Sequence, residues 1–215
     1  MTKKPKLLWC GDIVAMTGFA RVTENVISRL KDDFEIVVLG NNWWGDPTPL
    51  QATYVMYPSS NRHQQEPFGV QRIREVIERE KPDVVFSIND MWIINNQYEQ
   101  IKDLHQQKKF KFVGYAPMDS YNWLGCLSDT ANEWDAIVSY TEFGAHEFVK
   151  GGINKPIAVI PHGLTADQFY PKDKSVSRKR LGLADDLFIV LNGNRNQFRK
   201  RQDITISAFA KFAVG

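Results

Sequence analysis

Cysteine is nearly absent: Cys10 and Cys126 are the only two in 215 residues. They lie far apart and match no metal-ligand spacing, which argues against a disulfide scaffold and a thiolate metal site and suits a reducing compartment. Long hydrophobic runs are missing as well. No stretch reaches the ~18 apolar residues a membrane helix needs, and the basic N-terminal "MTKKPKLLWCGDI" has too short an apolar run for a signal peptide. These absences predict a cytoplasmic protein. Charge of one sign is not in excess either, with 27 Lys and Arg against 25 Asp and Glu for a formal net charge of +2. No global field therefore draws the chain onto nucleic acid or an anionic membrane. Repeats of solenoid length and low-complexity tracts are lacking too.

What is present is the balance of a globular protein, 43% hydrophobic and 24% charged residues, enough for a substantial core. Short apolar runs alternate with helical periodicity, the pattern of a parallel sheet covered by helices. The predicted strands are "KLLWC", "FEIVVLG", "DVVFSI", "KFVGYA", "AIVSY" and "IAVIP". Val22, Val26, Ile27 and Leu30 share one helical stripe, and Val70, Ile73 and Ile77 another, both read as core. The stretch "GNNWWGDPTPLQATYVMYPSSNRHQQEPFG" is irregular and is expected to be a loop. Residues 1–165 read as a Rossmann-like α/β domain with helices on both sheet faces, and the polar residues 166–186 as an interdomain linker. The strand-like "LFIVLNG" and helix-like "RQDITISAFAKFAV" read as one βα unit over 187–215. One such unit cannot bury both faces of a sheet, so it is expected to open a truncated second domain and to self-associate through its apolar surface.

Chemistry clusters at the predicted strand ends. Thr17 and Gly18 stand just before the first helix, whose free N–H groups favour an anion or a hydroxyl. Gly18 either lets a ligand approach the backbone or serves the turn, and the spacing from Gly11 does not fit a dinucleotide fingerprint. Near the C-terminus "NGNRNQFRKRQ" gathers Arg195, Arg199, Lys200 and Arg201. Arg195 and Lys200 suit a diphosphate, a planar fork beside a point charge, the alternative being a solvated basic loop. Asp119 and Asp90 follow strands and are either site carboxylates or turn and N-cap residues. Trp43 and Trp44 either stack on a sugar or base or pack under the loop. His105 and His146 read as surface residues on helices, His63 falls in the irregular stretch, and His162 follows the last strand of the series. The paired acids Asp32 and Asp33, and Asp185 and Asp186, read as turn residues, and no metal site is predicted.

The order "TGFARVTENVISRL", "PDVVFSIND", "DAIVSYTEFGAHEFVKGGINKPIAVIPHGLTADQFYP", "RKRLGL" and "FIVLNGNRNQFRKRQDITISAFAKF" resembles the retaining GT-B glycosyltransferases of the group-one, glycogen-synthase-like superfamily. It is similar especially to viral and phage-type members, which would make the compartment a host cytoplasm. The resemblance spans nearly the whole chain and is most specific from Asp135 to Phe212. Ile160, Pro161, His162 and Gly163 match the I-P-N-G interdomain motif with His162 in place of Asn. By this resemblance Arg195 and Lys200 hold the donor diphosphate, and Thr17 and Gly18 form the loop facing the donor. Two departures stand out: the E-x(7)-E segment is absent, and Pro117, Met118 and Asp119 occupy the place where many relatives carry a His near the reacting sugar.

The resemblance implies transfer of a sugar, with retention and without a metal or other cofactor, from a nucleotide-diphosphate sugar to an acceptor hydroxyl. Asp119 is the catalytic candidate, with Asp90, His162, Trp43 and Trp44 as acceptor or cleft candidates. The acceptor is a glycan, a lipid, a protein or a modified nucleic acid. The 215 residues alone are expected to be inactive. The rival readings are a nucleotide-sugar epimerase of the same architecture and a non-catalytic phosphate- or nucleic-acid-binding module built on "RNQFRKRQ".

Overall fold

The computed structural model describes residues 3–60, 65–122 and 125–214. The chain divides into two compact units, Met1–Gly163 and Leu164–Gly215. His63 lies outside the described residues.

The first unit is built on a seven-stranded parallel sheet: β1 (Lys6–Asp12), β2 (Glu35–Asn41), β3 (Val55–Pro58), β4 (Val84–Ile88), β5 (Lys111–Ala116), β6 (Ala136–Ser139) and β7 (Ile157–Val159). Their spatial order is β3-β2-β1-β4-β5-β6-β7. From β1 the chain winds outward through β2 and β3, then returns to the other side of β1 with β4 and winds the opposite way. The order therefore reverses between β1 and β4. Six strands coincide with the apolar runs: β1, β2, β4, β5 and β6 because interior strands of a parallel sheet are largely apolar, and β7 as a half-exposed edge strand. The seventh, β3, is a short edge strand inside the stretch expected to be a loop; only its Val37–Val55 to Gly40–Pro58 register ties it in. Pro58 is tolerated there because an edge strand needs fewer ladder donors. The same stretch also folds a 3₁₀ turn over Pro49–Ala52, closed by a Thr48–Gln51 capping box.

Helices cover both faces. On one face lies α1 (Gly18–Leu30), whose Ile27 is fully buried and whose Val22, Val26 and Leu30 pack beside it against Leu7, Trp9, Ile36 and Val38. The Trp9 indole donates to the buried Thr23 hydroxyl at 3.0 Å, pinning the helix to the sheet. Truncating Ile27 to Ala in this setting costs about 2–5 kcal/mol. The other face carries α2 (Ile73–Glu80), α3 (Met91–Glu99), α4 (Lys102–Gln106), α5 (Cys126–Ala131) and α6 (Glu142–Lys150). Their apolar stripes, including Ile73, Ile77, Ile94, Tyr98 and Phe148, close over Leu8, Val37, Phe112 and Ile137. Gly114 on β5 is required by packing, since a Cβ there would come within 2.2 Å of the buried Trp134 indole. Cys10 sits in this core as a free thiol whose pKa burial pushes up, and Cys126 is free and exposed.

The second unit holds α7 (Lys174–Leu181), a 3₁₀ turn at Phe198–Lys200 and α8 (Gln202–Val214). The segment expected to be a linker folds here. Asp173 caps α7 by accepting from the Val176 amide at 2.9 Å, and Arg178 donates to the carbonyls of Ala184, Asp185 and Leu187. The predicted strand "LFIVLNG" does not form: residues 187–193 carry no strand. An apolar run becomes a strand only when a neighbour takes up its backbone hydrogen bonds, and the second unit holds no strand among its described residues. Phe188, Leu191, Ile206 and Phe212 stay exposed. Among the described residues no helix is long and apolar enough to cross a membrane.

Candidate functional site

In a parallel sheet every strand ends at the same edge, and where the strand order reverses the loops diverge and leave a crevice. That point falls between β1 and β4, and the loop Ile13–Thr17 leaves β1 there. Thr17 is the N-cap of α1: its hydroxyl accepts from the Ala20 amide at 3.1 Å and donates to Asp12 Oδ2 at 2.6 Å. Asp12 receives a second bond at Oδ1 from Asn42 Nδ2, 2.8 Å away. This buried carboxylate thereby ties the ends of β1 and β2 to the start of α1. Thr17 and Gly18 line an open pocket of about 460 Å³ with Ile13, Met16 and Arg21. Gly18 has nothing within 4 Å of an added Cβ, and its φ is not positive. The turn therefore does not need a glycine at this position.

Beside Asp12 in register stands Asn41. Its amide is fully buried, and among the described residues neither Nδ2 nor Oδ1 has a hydrogen-bond partner. Leaving such a group unpaired costs on the order of 1–3 kcal/mol.

Asp90 and Asp119, which follow β4 and β5, meet in a second pocket of about 260 Å³ lined also by Met91, Trp92, Met118 and Ser120. Asp90 is at the N-cap position of α3 but makes no side-chain capping bond. Trp92 is half exposed and meets Phe68 in a T-shaped contact, the ring centroids 5.6 Å apart. Further along the same edge the His162 ring packs on Tyr140, 4.0 Å between centroids, and edge-on to Tyr115. The Tyr140 hydroxyl is buried and has no hydrogen-bond partner among the described residues. Burial, then Tyr115 and Asp90, push its pKa up, while burial pushes His162 down.

The tryptophans separate. Trp43 is 3% exposed, donates its indole N–H to the Asp46 carbonyl at 2.9 Å and lies against Gly40. Its packing removes it from the cleft candidates; Trp44, 54% exposed, remains accessible. His105 also differs from its reading as a surface residue. Its Nδ1 lies 2.7 Å from the Tyr98 hydroxyl and its Nε2 2.7 Å from Asp135 Oδ2, at the opposite edge of the sheet. Asp135 also accepts from Lys111 at 2.8 Å and from the Phe112 amide at 2.8 Å. His146 is exposed on α6, as expected. Asp32, Asp33, Asp185 and Asp186 all occupy turns.

Arg195 lies between bends at Asn194 and Asn196, before the 3₁₀ turn, and Lys200 ends that turn, two residues before α8. Neither is paired with an acid among the described residues. Arg201, by contrast, forms a two-point pair with Asp203 at 3.0 and 2.8 Å. Among the described residues no three of His, Cys, Asp and Glu gather in a geometry that could hold a metal ion.

Sequence reasoning missed Asp12, Asn41 and Trp92. Asp12 stands in the quoted "MTKKPKLLWCGDI", but its role depends on Asn42 across the sheet. Trp92 had a usable signal, an aromatic residue two positions after a strand-end Asp.

No family model matches the chain. Over 81 residues it is 33% identical to the D-inositol 3-phosphate glycosyltransferase of Geodermatophilus obscurus, a match that covers 37% of this chain and 18% of that protein's length. The first unit, with its all-parallel sheet covered by helices on both faces, has the form of a Rossmann-like domain.

Proposed function

We propose that the protein takes part in transferring a sugar, with retention and without a resident metal, from a nucleotide-diphosphate donor to an acceptor hydroxyl. The observation that carries this reading is the likeness to a glycosyltransferase in a chain whose strand-end residues line pockets along one edge of a parallel sheet. Arg195 and Lys200, free of acidic partners among the described residues, neutralise charge growing on the departing diphosphate, the kind of electrostatic stabilisation that usually dominates such catalysis. Thr17 and Gly18 present a helix N-terminus and an unobstructed backbone to the donor. Asp119 orients the acceptor hydroxyl and Asp90 assists it; His162 borders the same edge.

The test is calorimetric titration of the 215-residue protein with UDP, GDP and ADP, alongside incubation with a panel of labelled nucleotide sugars. Preferential binding of one nucleoside diphosphate is expected. Absence of binding to all three would sink the reading.

A further inference from the structure

The pocket between the ends of β4 and β5 has a chemistry that selects its occupant. Its described lining contributes two carboxylates, Asp90 and Asp119, one hydroxyl, Ser120, and the half-exposed Trp92 among apolar Met91 and Met118. No cation is among the lining residues. A carboxylate accepts hydrogen bonds and donates none, so a ligand seated here must bring its own donors. Asp119 makes no hydrogen bond or ion pair among the described residues, so its oxygens remain open to such donors. Ring hydroxyls provide donors in the required number, and the apolar face of a sugar ring suits the indole of Trp92. A phosphate group brings the opposite chemistry: acceptor oxygens and negative charge, both repelled by the two aspartates.

We propose that this pocket takes an unphosphorylated polyhydroxy acceptor, a neutral sugar or polyol, with Trp92 stacking on its ring and Asp90 and Asp119 accepting from its hydroxyls while excluding phosphorylated analogues. The inference rests on the transferase reading for calling this ligand the acceptor. It also separates the chain from its relative, whose name specifies a phosphorylated inositol.

Saturation-transfer NMR on the whole 215-residue chain tests it, with D-glucose, myo-inositol, glucose 6-phosphate and D-inositol 3-phosphate as probes. The two neutral probes should receive saturation and the two phosphates should not. Trp92→Ala should weaken neutral binding roughly tenfold, the upper range for an aromatic contact, while Trp92→Phe retains it and controls for folding. The double variant Asp90→Asn/Asp119→Asn should admit the phosphates. The proposal is overturned if the phosphates bind as well as the neutral probes, if none of the four binds, or if Trp92→Ala leaves neutral binding unchanged. Parallel titration with UDP and GDP keeps the two readings apart. Nucleotide binding without neutral-sugar binding removes this inference alone, and neutral-sugar binding without nucleotide binding removes the transferase reading alone.

Discussion

Asp12 and Asn41 stand side by side at the ends of β1 and β2, both buried, yet among the described residues the carboxylate holds two side-chain hydrogen bonds and the amide holds none. The two residues should therefore respond to mutation with opposite sign. Asn41→Leu removes an unpaired buried amide at similar volume and should stabilise the protein by about 1 kcal/mol. For a chain of this size that is roughly 2–4 °C in melting temperature, read by calorimetry. Asp12→Ala strands the Thr17 hydroxyl and the Asn42 amide and should destabilise by about 1–3 kcal/mol. A drop in melting temperature for Asn41→Leu would mean that the amide has a partner in solution.

Gly18 tests access to the crevice. With open space at its Cβ position and an ordinary φ, Gly18→Val should leave the melting temperature within about 1 °C, as expected of a surface change that meets no strain. It should nonetheless weaken nucleoside-diphosphate binding at least tenfold in calorimetric titration, because the side chain fills the space in front of the helix N-terminus. Unchanged binding would show that no ligand approaches this backbone.

Arg195→Ala and Lys200→Ala should each weaken nucleoside-diphosphate binding by about 1.5–3 kcal/mol, the range for hydrogen bonds to a charged group. Arg201→Ala should do less, because that guanidinium is already engaged by Asp203. Equal losses at all three positions would replace the two-residue clamp by a diffuse basic patch.

The Asp135 network predicts a pH dependence. Burial favours the neutral carboxyl, but hydrogen bonds from Lys111, the Phe112 amide and His105 outweigh it and hold the pKa of Asp135 below its ordinary value. A carboxylate depressed in the folded state contributes stability that is present above its unfolded value of ~3.9 and lost as pH falls through the folded one. Asp135→Asn should therefore flatten part of the stability loss below about pH 4. Urea unfolding of both proteins across pH 6 to 2.5 measures it, and parallel pH profiles would contradict the assignment.

The strands most legible in the sequence are those buried on both faces, because burial writes itself as an uninterrupted apolar run. β3 was hidden by its surroundings: only four residues long and set among prolines and asparagines, it has no such run, whereas the other edge strand, β7, keeps the apolar "IAVIP". The reverse error, at residues 187–193, has the same root, since hydrophobicity marks what a segment could pack against but not whether a pairing strand is there. Thr17, Gly18, Asp90 and Asp119 were readable because local rules place chemistry at helix starts and strand ends. His105 was not, since its partner Asp135 lies 30 residues away, and neither was Asp12, whose meaning depends on Asn42. Trp43 and Trp44 are adjacent in sequence yet opposite in burial, a difference set by the path of the following loop.

All seven strands run the same way, so the first unit has two unlike rims. One rim carries the Asp12, Asp90 and Asp119 loops, and the other carries the His105 and Asp135 network. Between them lies a tightly packed slab of apolar side chains that deforms little. Loops on the first rim can lengthen, shorten or change charge while the second rim keeps the sheet closed. Specificity and stability can thus drift independently in such a chain, and related proteins that differ in what they bind need not differ in how they fold.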